Sequence, residues 1–144
     1  MSGKILEASW PYIVPLAFCL LWWHYLGGIF PFDASALIGA TGTVSAVIVG
    51  FLVTAKAIVV GLTGSPVFKK LVSSGYNGIF YRYILEAELG GLLLLIVSLV
   101  GFFVLGPLGE APFVYKGIWI FSAVSSISLF VRVVYILFLF LKQA

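Results

Sequence analysis

Charged residues are so sparse in this chain that long apolar runs separate them. A helix needs about 20 mostly apolar residues to cross the hydrocarbon core of a bilayer. Four stretches reach that length: residues 10–30, 36–62, 79–105 and 113–141. Turn-forming residues punctuate them. "GGIFPFDAS" carries Pro31 and Asp33, and "GPLGEAP" carries two prolines and two glycines. The pattern predicts an all-α, polytopic membrane protein with four transmembrane helices in one domain. The first span does not read as a cleaved signal. Pro11 and Pro15 stand at its start, bulky "LWWHY" near its end, and it has no small-residue cleavage site.

Between the second and third spans lies "GSPVFKKLVSSGYNG". Ser65 can cap a short helix, Pro66 suits its first position, and Gly75 can end it. Val67, Phe68, Leu71 and Val72 then share one face, with Lys69 and Lys70 beside it. The stretch is expected to form a short amphipathic helix lying in the interface.

Composition agrees with the pattern. The chain has 144 residues, 62% hydrophobic and 9% charged, with mean hydropathy +1.21. Soluble domains carry about 25% charged residues, and a soluble fold of this size cannot hide so much apolar surface. The net charge of +3 is small and scattered. It gives no case for direct nucleic-acid binding but does bear on topology. With both termini in the cytoplasm, Lys4, Lys69, Lys70, Arg82 and Lys142 lie inside and Lys116 alone lies outside. This follows the positive-inside bias. Asp33 and Glu110 also fall outside. Trp10 then marks one interface, and Trp22, Trp23, Tyr25, Tyr115 and Trp119 mark the other.

The second span carries a stripe of small residues: Gly39, Thr43, Ala46, Gly50, Thr54, Ala57 and Gly61, at steps of three or four. Such stripes let helix backbones approach closely in lipid. The partner helix is either another span of the same chain or one from a second copy, in a subunit contact or pore wall.

Besides Lys116 near the outer end of the fourth span, Lys56, Arg82, Glu86, Glu88 and Arg132 lie within the spans. Ionised groups there are costly, so each needs a partner, water or a function. Arg82 and Glu86 are four apart and can pair on one helix face. Glu86 and Glu88 are two apart and point to roughly opposite faces. Arg132 lies about 15 Å along its span from Lys142. The fourth span also presents Ser122, Ser125, Ser128, Arg132 and Tyr135 along one side. Two readings follow. Lys56, Glu88 and Arg132 form an internal ion network that fixes register, or the polar side and a glutamate line a hydrated path for ions. Lys56 and Arg82 can also snorkel to the interface.

Other chemistry is thin. Cys19 is the only cysteine and His24 the only histidine, which rules out an intramolecular disulfide and gives no metal site. No phosphate-binding loop or hydrolase serine motif appears. The sequence predicts no enzyme and no cofactor.

The stretches "WHYLGG", "IGATGTVS", "SGYNG" and "AELGGLLLLIVS", in this order and spacing, resemble the RexB family of phage lambda-type exclusion proteins. "FSAVSSISLF" is compatible with it. The middle loop departs, with only Lys69 and Lys70 where the family is more basic. The resemblance implies a multi-pass protein of the bacterial inner membrane that acts in abortive infection. It implies a homo-oligomeric ion channel that depolarises the cell when a cytoplasmic DNA-binding sensor is activated. Antagonism of a cytoplasmic protease is also attributed to the family. With so little chain outside the spans, a sensor is expected to dock on Lys69, Lys70 and the termini. A non-conducting scaffold for a soluble partner, or a small transporter subunit, are the alternatives.

Overall fold

The computed structural model describes residues 2–27, 29, 34–61, 77–105 and 111–142. These residues form four helices: α1 Ser2–Leu26, α2 Ala34–Gly61, α3 Asn77–Val104 and α4 Phe113–Lys142. Three stretches, Ala34–Gly61, Gly78–Val104 and Phe113–Leu139, are long and apolar enough to cross a membrane. The chain is therefore all-α, with the character of a multi-pass membrane protein. At 28 residues, α2 is about 42 Å long, ample for a hydrocarbon core of about 30 Å. The expected interfacial helix, Lys69, Lys70, Asp33 and Glu110 all lie outside the described residues.

Helix α1 departs most from its expected bounds. It starts at Ser2, eight residues before the predicted span, and runs through Pro11 and Pro15. A proline inside a helix has no N–H to donate and so frees the carbonyl four residues earlier. Such losses are tolerated where neighbouring helices surround the break. Here both prolines are fully buried. Their spacing of four puts them on one face, continued by Cys19 and Trp22, and α4 is the helix on which α1 packs. The helix ends at Leu26 because Gly27 turns left-handed, with φ of 55°, a conformation natural to glycine at a helix C-terminus.

The packing order is α2, α3, α4, α1. Helix α2 lies on α3, α3 on α4, and α4 on α1, with a narrow touch of α2 on α4. Consecutive helices α1 and α2 make no substantial contact among the described residues. Two clusters fill the interior. One joins Ile48 and Leu52 of α2 to Tyr83, Ile84 and Ala87 of α3 and Leu129 and Val133 of α4. The other gathers Ile38, Val97, Tyr115, Trp119 and Ile120 at the opposite end. Many large apolar side chains point outward instead, among them Val47, Leu93, Ile96, Phe103 and Ile127. That is the arrangement for a lipid solvent.

Small residues set the α2–α3 seam. The Ser45 hydroxyl donates to the Gly91 carbonyl across it, Thr41 and Ser98 hydroxyls meet at 3.3 Å, and a Cβ on Gly42 would lie 3.5 Å from that of Ser98. A methyl on Gly91 would come within 2.7 Å of Val49. At Gly101 a methyl would overlap the Tyr115 hydroxyl, which donates to the Val97 carbonyl at 3.0 Å. Lipid offers no hydrophobic drive between helices, so such close approach and hydrogen bonds hold them together.

Gly91→Ala and Gly101→Ala should each destabilise the detergent-solubilised protein by about 1–3 kcal/mol through overpacking. Gly50→Ala, where a Cβ meets nothing within 4 Å, should change stability by less than about 1 kcal/mol. Unfolding midpoints of the three variants against the parent protein check this.

Candidate intramembrane ion site

Helix α3 carries an acid on each of two faces, and each acid meets a different neighbour. Glu86 faces α4, where its Oε2 accepts from Arg132 Nη2 at 2.6 Å. Its Oε1 accepts from Arg82 Nε one turn earlier at 2.9 Å. The Tyr12 hydroxyl of α1 donates to Oε2 at 3.4 Å. Glu86 thus touches α1, α3 and α4 in one cluster. Glu88 faces α2 instead, with Lys56 Nζ 3.4 Å from its Oε2.

This division corrects the expected trio of Lys56, Glu88 and Arg132. Residues two apart on a helix diverge by about 200°, so one cation cannot reach both glutamates from a single neighbouring helix. Arg132 goes to Glu86, and Lys56 alone takes Glu88.

The two cations of Glu86 differ in setting. The Arg82 side chain is 77% exposed, whereas that of Arg132 is 2% exposed. The Arg132 guanidinium also lies 3.9 Å from the centroid of the Tyr83 ring, a cation–π arrangement that strengthens away from water. Its Nε and Nη1 are buried without a hydrogen-bond acceptor, as is Glu88 Oε1 without a donor. The Arg82 pair contributes at most about 0.5 kcal/mol. Breaking a buried pair by removing one partner costs about 3–5 kcal/mol, because the other charge is left stranded.

The predicted polar side of α4 is largely internal. Ser122, Ser125, Ser128 and Arg132 are buried. Ser122 donates back to the Ile118 carbonyl at 2.7 Å, while the Ser125 hydroxyl has no partner. Tyr135 does not join them and stands 62% exposed. Ser126, off the predicted stripe, is fully buried with an unpartnered hydroxyl. It stands where Gly90 lets α3 close on α4, its Cα 3.8 Å from a Cβ placed there. Tyr83 and Tyr12 also belong to the cluster. The sequence reading missed both; the i, i+3 spacing of Tyr83 to Glu86 is a signal for the first, but nothing in the α1 sequence marks Tyr12.

The small stripe of α2 lies elsewhere than inside the protomer. Gly39 alone approaches a neighbour, 3.7 Å from the Phe102 ring. Thr43, Ala46, Gly50, Thr54, Ala57 and Gly61 are exposed. Thr43 and Thr54 hydroxyls turn back to the carbonyls of Gly39 and Gly50. Packing inside the bundle falls instead to Ile38, Ser45, Ile48, Leu52 and Ala55, a face with larger side chains and the cross-helix Ser45 hydrogen bond. Among the described residues no group of His, Cys, Asp and Glu could hold a metal ion.

Glu86→Gln should destabilise the protein by about 3–5 kcal/mol, since it strands Arg132, and Arg82→Gln by less than about 1 kcal/mol. Unfolding titrations of the two variants in mixed micelles measure the contrast. Equal losses would show that the burial of Arg132 does not set the energetics.

No family model, no curated protein and no solved structure matches this chain.

Proposed function

We propose that this chain is the membrane effector of a phage-exclusion system: an oligomeric, ion-permeable channel of the bacterial inner membrane, of the RexB type. It depolarises the cell when a cytoplasmic DNA-binding sensor is activated. In this reading α1 is the fourth span and both termini are cytoplasmic. Residues 62–76, with Lys69 and Lys70, share that side and offer the sensor its contact. The alternating direction of the helices supports it. Tyr12 meets Glu86 at one end of the bundle, and Trp23 meets Phe113 at the other, with ring centroids 4.3 Å apart. Lys116 stands near the second end, apart from the other cations.

The observation that carries the reading is the set of charged side chains inside helices apolar enough to cross a membrane. Arg132, Glu86, Glu88 and Lys56 all lie between the ends of such helices. A chain that needed only to be anchored gains nothing from this, since ionised groups in a span are expensive and usually mark an ion or substrate path. The buried serines preceding Arg132 extend the polar surface along α4. A pore needs several copies, and the outward small stripe of α2 suits a contact between them. A non-conducting scaffold is the second reading, favoured by one observation: each of these carboxylates already has a cation partner within the chain.

Purified protein in liposomes should release a trapped ion, alone or with the sensor added, and Glu88→Gln and Arg132→Gln should change the size or selectivity of the flux. No flux under voltage with the sensor present would exclude the channel in favour of the scaffold. Gly50→Leu, outside the protomer core, should reduce crosslinked oligomer in native membranes while leaving insertion intact. Crosslinking that yields only monomer from the parent chain would remove the oligomeric pore.

A further inference from the structure

The triad Arg82, Glu86 and Arg132 holds two cations and one carboxylate, a net charge of +1. Its neighbour, the Lys56–Glu88 pair, sits on the opposite face of α3 and is neutral in sum. Glu86 is saturated: one oxygen takes Arg82, the other takes Arg132 and the Tyr12 hydroxyl. What is left over is all donor. Arg132 spends Nη2 on Glu86 but keeps its Nε and Nη1 hydrogens buried and unpaired. Ser125 and Ser128 precede it by seven and four residues, so they share its helix face. A helical side chain reaches back over the turn before it, which brings guanidinium and hydroxyls to one strip. Both serines are buried, and the Ser125 hydroxyl is unpartnered.

We propose that this strip of α4 binds a small, weakly hydrated inorganic anion of the halide class, held by Arg132 Nε and Nη1 with the hydroxyls of Ser125 and Ser128. Water satisfies the same donors but leaves the triad's net charge of +1 unbalanced. An anion does both. Arg132 is 2% exposed, so the ion must shed its water to enter. The guanidinium is itself diffuse and weakly hydrated, and it suits chloride or bromide better than fluoride, which holds its water hard. The inference deepens the channel reading by naming the class of ion at the site, but binding requires no conduction.

The test is quadrupolar broadening of the chloride NMR line by the purified protein in neutral detergent. Broadening should saturate, bromide should reverse it, and fluoride at equal concentration should not. Arg132→Lys keeps the charge but loses the fork of donors, and should weaken chloride by about tenfold, the loss of roughly one charge-assisted hydrogen bond. Ser125→Ala, which leaves every ion pair in place, should weaken it by a smaller factor. Broadening that never saturates, or is the same in the parent and both variants, overturns the site. Saturable chloride binding without flux in liposomes under voltage and with the sensor present leaves the site standing and removes the channel. Flux without saturable chloride binding removes the site and leaves the channel.

Discussion

The contact between Arg132 and Glu86 fixes more of this molecule than any other. In an apolar surround neither charge is tolerable alone, so α3 and α4 must be neighbours, in one register, with these residues level. Tyr12 then reaches the same carboxylate and draws α1 over α4. Glu88, two residues on, turns the opposite way and fastens α2 through Lys56. The position of α3 between α2 and α4 is thus tied to the spacing of two glutamates. Shape does the rest. Gly91 and Ser45 bring α2 against α3, and Tyr115 fits the space left by Gly101.

The same features bear on how an ion could be handled. Glu86 is shared among three donors, while Arg132 keeps unpaired ones. The site therefore holds surplus donors in the protomer interior, and the triad as a whole carries one surplus positive charge, with Arg82 at its exposed end. The exposed stripe of α2 is separate from it, on the far side of the row of helices. Under the proposed function these surfaces divide the labour. The α4 strip meets the ion, and the α2 stripe meets another copy.

Local features of the sequence were legible where they depended on the chain alone. Apolar runs located α2, α3 and α4 to within about two residues, because length and hydropathy decide which segments can lie in lipid. Helix α1 was placed late. Its polar opening, Lys4 and Glu7, masks a helix that continues through both prolines because α4 covers them. The Arg82–Glu86 pair was legible, since four-residue spacing needs no second helix. The stripe of α2 was legible as a stripe but not as an outward one. Periodicity gives a face, and only the neighbours say where that face points.

The sequence by itself determined that this is an all-helical chain with membrane character, that its charges sit inside apolar segments, and that Glu86 and Glu88 diverge. These follow from helix geometry and from the cost of charge in an apolar medium, which hold for any arrangement of the helices. The tertiary structure decided which cation meets which glutamate, that Tyr12, Tyr83 and Ser126 join the polar interior, and that Tyr135 does not. Those outcomes depend on distances between segments far apart in the chain, set by the packing order α2, α3, α4, α1, for which a pattern along one strand of sequence carries no coordinate.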